Sequence, residues 1–236
     1  MANKKLHLDM GHALVTPGKE TNDNPPVKEF TLNKAVCDKV ISRLAGYNVS
    51  ITTTGVANTD TPLSTRVSNI NNINPHLMIS IHHNAANGIG TGTEVYWHTY
   101  GSAADKQVAG ILAPKLSSYV GLPNRGVKQE QWAILGVNAS IPAILSEGGF
   151  MDHPTDKPII KSAAGQDAYA RAIAETVIQY LGLTKTSSSY PTHTVVSGDT
   201  LYSLANRYGT TVAQIQSWNG LGSSTTIYVG QVLRVG

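Results

Sequence analysis

Leu77-Met78-Ile79-Ser80-Ile81-His82-His83-Asn84 is the stretch that decides the fold. Leu77 to Ile81 is a compact, almost wholly apolar run, the mark of a strand covered on both faces as in parallel sheets. Side chains alternate along a strand, so the two histidines that follow should point to opposite faces. Upstream, Lys5 to Leu8 is a short strand candidate. Val27 to Leu44 carries apolar residues at helical spacing after the start signal Pro25-Pro26. Tyr47 to Thr53 is β-rich and Leu63 to Ile73 is helical in pattern. Downstream, Thr93 to Trp97 is a strand candidate, and Ala103 to Tyr119 a helix with Pro114 expected at a kink or break. Ile141 to Leu145 is a short apolar strand, and Gln166 to Leu181 a final amphipathic helix. This alternation predicts an α/β domain, a mostly parallel sheet flanked by helices on both faces.

Composition bounds the rest. Hydrophobic residues make up 41% of the 236 and charged residues only 14%. That is well below the usual quarter, which excludes a dominant charge-rich tail or a long coiled coil. Net charge is +3 and the longest basic run is Lys4-Lys5. Nucleic acid is therefore not an expected partner, because nothing forms a track for a phosphate backbone. The single cysteine, Cys37, excludes a disulfide framework and sits among Val36, Val40, Ile41 and Leu44 as a core residue. No stretch approaches the roughly 18 apolar residues of a membrane span. Met1 to Asp9 has two lysines but no apolar signal core behind them, so no cleaved signal peptide is expected.

The composition changes near residue 184. Residues 1–183 form the α/β domain, the serine-rich stretch 184–191 ending at Pro191 reads as a linker, and 192–236 form a second, small domain. In the latter, Thr194 to Val196 is a strand candidate, followed by a helix capped by Asp199 or Thr200 that presents Leu201, Leu204 and Ala205. A second helix carries Val212, Ile215 and Trp218, and Gln231 to Val235 closes as a strand, giving the order βααβ.

Ligands of open parallel sheets collect beyond the carboxyl ends of the strands. The first strand runs into Asp9-Met10-Gly11-His12, the buried one into His82-His83-Asn84, and the one at 141–145 into Ser146-Glu147-Gly148-Gly149. Imidazoles and carboxylates without cysteine suggest a catalytic zinc site, with three protein ligands and room for water. The candidates are His12, His82 and one carboxylate, from Glu29 or Glu147. Glu29 alone would be an ordinary first-turn acid at a helix N-terminus. Asp9 fits either a residue that orients a ligand or a turn-forming aspartate. His7, His76, His98 and His153 are expected as ordinary surface or hydrogen-bonded residues. Two histidines and a carboxylate also describe a non-haem iron oxygenase.

At this point the residues resemble a family, the zinc-dependent N-acetylmuramoyl-L-alanine amidases of the type-3 class, found in bacterial autolysins and phage endolysins. The likeness covers nearly all of residues 4–182. Its pieces are Asp9-x-Gly11-His12, Glu29, Arg66, Ser80 to Asn84, Gly92 to Tyr96, Arg125 to Lys128, and Pro142 to Phe150. The resemblance implies one zinc ion held by His12, Glu29 and His82, with Glu147 as the catalytic carboxylate. Zinc so held would acidify water toward a pKa of roughly 7 and stabilise the developing oxyanion, while Glu147 moves the proton to the leaving nitrogen. His83 and Asn84 are candidates for hydrogen bonds to substrate, beside packing or turn roles. This chain departs from the pattern at Met10, where the family has Pro, and at Ala13-Leu14, where it has Gly-Gly.

Residues 192–235 resemble a LysM module, which binds peptidoglycan and chitin. The likeness rests on His193-Thr194-Val195, Ser197 to Leu201, Ala205, Tyr208-Gly209, Ile215, Trp218-Asn219, Leu221, Ile227, Gly230-Gln231 and Leu233. It implies N-acetylglucosamine contacts from Gly198, Asp199 and Thr200 on one side and Asn219, Gly220, Leu221 and Ile227 on the other. One copy is present, and tethering would raise the substrate concentration seen by the first domain. The expected protein is a monomeric peptidoglycan hydrolase acting on glycan strand and stem peptide. It looks most like a phage endolysin, made in the host cytoplasm and acting on the wall after release. The alternatives are a zinc peptidase cutting within the stem peptide and a non-catalytic wall-binding protein.

Overall fold

The structure is a computed structural model that describes residues 3–185 and 190–236. Residues 186–189 of the expected linker, with Met1 and Ala2, lie outside the described residues. The chain divides into two compact units, one ending at Lys185 and the other starting at Thr186.

The first unit runs β1 (Lys4–Met10), α1 (Glu29–Arg43), β2 (Val49–Thr54), α2 (Leu63–Ile73), β3 (Leu77–Asn84), β4 (Thr93–His98), α3 (Ala103–Val120) and β5 (Asn124–Glu130). After a 3-10 turn at Ala133–Leu135 come β6 (Ala143–Phe150), α4 (Asp156–Lys161) and α5 (Ala163–Leu181). Six strands form one sheet in the order β2-β1-β3-β6-β4-β5. Every neighbouring pair is parallel except β4 with β6.

Alternation along β3 sets the layers. Leu77, Ile79 and Ile81 enter a core with Phe30, Val36 and Cys37 of α1, Leu112 and Leu116 of α3, and Ile173 and Val177 of α5. Met78 points the other way, into a smaller cluster with Ile70 of α2, Ile134, Leu135 and Leu145. Burying each such Leu, Ile or Phe contributes about 1.5–3 kcal/mol, so the two-sided burial of β3 anchors the whole sheet. Among the described residues no helix is long and apolar enough to cross a membrane.

Several elements differ from expectation for identifiable reasons. α3 runs unbroken through Pro114, held on either side of the missing N–H by its buried row Val108, Leu112, Leu116 and Val120. α5 begins three residues early because the Ser162 hydroxyl caps it, accepting from Gly165 N at 2.9 Å. β6 begins at Ala143, beyond Pro142, and continues to Phe150, so Glu147-Gly148-Gly149 is strand and not the turn after one. Gly148 is needed for close packing: a Cβ there would lie 2.2 Å from Cε1 of Tyr169. Edge strand β5 and the short α4 carry no apolar period in the sequence, and nothing announced them.

The second unit is built from β7 (Thr192–Thr194), α6 (Leu201–Tyr208), α7 (Val212–Trp218) and β8 (Val232–Arg234). β7 and β8 pair antiparallel, with His193 opposite Leu233. The first strand lies two residues earlier than the apolar pattern suggested. Val195 is tied to the ladder's end instead, donating to Gln231 O and accepting from Gly230 N, each at 2.8 Å. Thr200, not Asp199, caps α6 in a reciprocal box with Ser203, and Thr211 with Gln214 repeats the device on α7. The core is Val195, Leu201, Leu204, Ala205, Ile215, Leu233 and Val235.

Candidate active site

β1, β3 and β6 are parallel, so their carboxyl-terminal residues meet at one edge of the sheet. Gly11 N continues β1 by donating to Ile81 O at 3.1 Å, which turns His12 over that edge. Glu29 opens α1, its amide donating to Lys19 O at 2.9 Å. His12 Nε2 lies 3.2 Å from Glu29 Oε2, and His82 Nδ1 lies 3.0 Å from Glu29 Oε1. The three donor atoms fall within 4.8 Å of one another. Ligand atoms about 2.1 Å from a tetrahedral zinc stand about 3.4 Å apart, so the side chains present fit such an ion.

The support around this trio is dense. Glu29 Oε1 also accepts from His83 N at 3.1 Å and from Asn33 Nδ2 at 3.3 Å. Burial alone would raise the Glu29 carboxyl, but the His82 and His12 imidazoles and the His83 amide outweigh it and hold the carboxyl at about 2. Burial pushes the His12 imidazole down, while the Glu29 carboxylate overcomes the same burial at His82 and raises it. His12 itself holds a left-handed backbone, φ 63°, unusual for a residue with a Cβ. The Arg66 guanidinium braces it. Nη2 donates to His12 O at 3.0 Å, Nη1 to Met10 O at 2.7 Å and Nε to Thr61 O at 3.1 Å. Asp9 faces Arg66 at 3.0 Å and also accepts from Thr54 and Ser80. Asp9 thus does not bond a ligand side chain; it acts through Arg66 on the backbone that carries His12.

Glu147 stands in a row. In register it pairs with His82 on β3 and with Glu94 on β4, so the three side chains share a face of the sheet. Glu94 is neutralised by Arg125 and Lys128 and also accepts from the Tyr96 hydroxyl. Glu147 has no such company: it is 6% exposed, and its Oε2 is buried without a hydrogen-bond partner among the described residues. Burial, with the Glu29 and Glu94 carboxylates nearby, pushes its carboxyl up to about 8. A buried carboxyl with an unused oxygen beside a ligand cluster is what a proton carrier requires. His12, Glu29, His82 and Glu147 open onto one cleft of about 840 Å³, walled on its apolar side by Pro62, Leu63, Trp132, Ile134 and Leu145.

His82 and His83 do point apart. His83 is 3% exposed, with Nδ1 2.9 Å from Asn33 Oδ1 and its ring edge-on to Tyr169. It supports the floor of the cleft, and burial lowers its imidazole to about 4. Asn84 lines the cleft, its Oδ1 accepting from Ala85 N at 2.8 Å. His7 is buried between Thr52 and Thr54, hydrogen-bonded to both. Asn33 and Glu94 were not foreseen as parts of the site. Asn33 had one signal, its position one helical turn beyond Glu29.

In the second unit the expected glycan contacts are heavily used by the fold. Asp199 accepts from Val196 N at 2.8 Å and lies 2.6 Å from His193 Nε2. Asn219 brackets Arg234, donating to its carbonyl at 2.9 Å and accepting from its amide at 2.8 Å. Thr200 is spent as a cap, and Leu221 and Ile227 pack against the core. Gly198 and Gly220 have left-handed backbones, with nothing within 4 Å of where a Cβ would stand.

Gly11 offers a direct probe of the ligand geometry. A Cβ there would lie 2.1 Å from Cε1 of His82. Gly11→Ala is expected to push the His82 ring out of the trio and weaken metal binding at least tenfold in a titration, while circular dichroism remains that of the folded protein.

A His–Glu–His donor set able to hold a metal ion lies at the carboxyl edge of a mostly parallel sheet, with a buried carboxylate one strand away, an arrangement suited to a hydrolase. Residues 6–179 match the family described as N-acetylmuramoyl-L-alanine amidase, and residues 193–236 match the LysM domain. The chain belongs to the N-acetylmuramoyl-L-alanine amidase family. It is 29% identical over 185 residues to the sporulation-specific N-acetylmuramoyl-L-alanine amidase of Bacillus subtilis (strain 168), covering 78% of this chain and 71% of that one. It is 28% identical over 192 residues to the endolysin of Bacillus phage SPP1, covering 78% and 69%. The crystal structure of N-acetylmuramoyl-L-alanine amidase from Clostridium difficile 630 superposes with a TM-score of 0.72 at 26% identity, over 77% of this chain and 98% of that one.

Proposed function

We propose that the protein cleaves the amide between N-acetylmuramic acid and L-alanine in peptidoglycan, using one zinc ion held by His12, Glu29 and His82, with Glu147 as the catalytic carboxylate. The observation that carries this reading is the convergence of three donor atoms within 4.8 Å beside a buried, unpartnered carboxylate oxygen. When bound, the ion polarises the scissile carbonyl and acidifies water. Glu147 Oε2 takes the proton from the attacking water and returns it to the leaving nitrogen, which departs as the free amine of L-alanine. Its raised affinity for a proton suits both halves of that transfer near neutral pH. Arg66 and Asp9 keep His12 in its left-handed turn, and Asn33 holds the Glu29 carboxylate. Asn84 reaches substrate from the cleft wall, above the buried His83.

The LysM unit holds the glycan strand through the loops carrying Gly198, Asp199 and Thr200 and carrying Asn219, Gly220, Leu221 and Ile227, where the two open glycines let a sugar approach the backbone. Likeness to a phage endolysin supports action on the wall after release from a host cell. Digestion of purified walls tests the chemistry. New alanine amines without new reducing sugar ends are expected. New reducing ends, or sugar-free peptide cut within the stem, would overturn the assignment.

A further inference from the structure

The cleft wall carries one cation that the site as described does not use. Lys19 lines the same cleft as His12, Glu29, His82 and Glu147. The other cation on that wall, Arg66, is 2% exposed and spent on Asp9 and three backbone carbonyls. Lys19 is exposed, and among the described residues its ammonium has no hydrogen bond or ion pair. Its neighbour Glu20 is taken by Lys28.

Its backbone is nonetheless fixed. Lys19 O accepts from Glu29 N at 2.9 Å, and Glu20 pairs with Lys28 in an isolated bridge. Thr21 N donates to Val27 O and Thr21 Oγ1 accepts from Val27 N, both at 2.9 Å. Asp23 is then clamped to α4 by Lys157 and Lys161. A cation on a pinned loop, with no partner of its own among the described residues, faces the cleft that holds the His12, Glu29 and His82 donors and Glu147.

We propose that Lys19 is the anchor for a carboxylate of the stem peptide, so that the cleft prefers acidic stems to amidated ones. This rests on the amidase reading above and refines it. The two halves of the substrate differ in charge: an N-acetylated glycan is neutral, whereas a stem peptide carries carboxylates. A lone ammonium therefore discriminates on the peptide side of the scissile bond. Being exposed, the pair should act with the modest strength of a surface ion pair and weaken with salt.

The test uses the full chain and two disaccharide-peptide fragments of cell wall that differ only in whether the glutamate α-carboxyl is free or amidated. Steady-state kinetics give KM for each. In the wild type, KM for the amidated fragment is expected to exceed that for the acidic one by about threefold to fivefold at low salt, a ratio that shrinks as salt is raised. Lys19→Ala should bring the ratio close to one, Lys19→Glu should invert it, and Lys19→Arg should restore it. Loss of packing would raise both KM values together and leave their ratio alone. A wild-type ratio retained in Lys19→Ala, or a parallel rise in both values, overturns the anchor while leaving the amidase reading intact. Failure of the wild type to cut either fragment at the muramoyl amide overturns both.

Discussion

Glu147→Gln should slow wall hydrolysis by about 10²–10⁴-fold, the usual worth of a positioned general acid–base, while zinc content stays at the wild-type level. The substitution keeps the shape of the side chain and removes only its ability to carry a proton. Glu147 lies one strand beyond His82 and outside the trio His12, Glu29 and His82, so the donor set survives the change. Its buried oxygen has no partner to lose, and folding should be little disturbed. Turbidity assays with metal analysis on the same sample separate the two readouts. Wild-type lysis rates in this variant would remove Glu147 from the reaction, and loss of zinc with the activity would recast it as a ligand.

The second large effect is on stability. Asp9→Ala leaves the Arg66 guanidinium, 2% exposed, without its buried partner and with only the half-exposed Asp60 carboxylate at 3.9 Å. Breaking a buried pair by deleting one member costs about 3–5 kcal/mol. For a unit of this size that is a fall in melting temperature of roughly 10 °C, with His12 loosened because Arg66 is its brace. The pH dependence has a definite sign. Burial pushes the Asp9 carboxyl up, but Arg66, Thr54 and Ser80 outweigh it and leave the folded value below the ordinary one. The stabilisation is therefore complete above the unfolded carboxyl's pKa and is lost as pH falls through the depressed folded value. Urea melts of wild type and variant should differ most near neutrality and converge in acid. A difference below about 1 kcal/mol at neutral pH would contradict the buried-pair assignment.

How much of this was readable in advance differs residue by residue. Leu77 to Ile81 announced a strand covered on both sides because a run so apolar has few other places to go, and His12, His82 and Glu147 follow such runs in sequence. Glu29 was ambiguous without the family resemblance, since an acid in the first turn of a helix is ordinary. Arg66 could be matched as part of a motif, yet its work, bracing the left-handed His12, depends on carbonyls 54 and 56 residues away in the chain. β5 was invisible because an exposed edge strand needs no apolar alternation. Pro114 does not end α3, because a buried face continues across it. Lys19 left no signal at all: an exposed lysine in a polar loop becomes notable only when the fold sets it on the wall of the cleft.

The most direct test is a zinc titration of protein stripped with a chelator, following lysis at each step. Lysis should be absent from the stripped protein, return in proportion to added zinc, and level off at one ion per chain; Glu29→Ala should show no such return. Stripped protein that lyses cells at the full rate, or a Glu29→Ala variant that binds and responds to zinc as the wild type does, would contradict the site described.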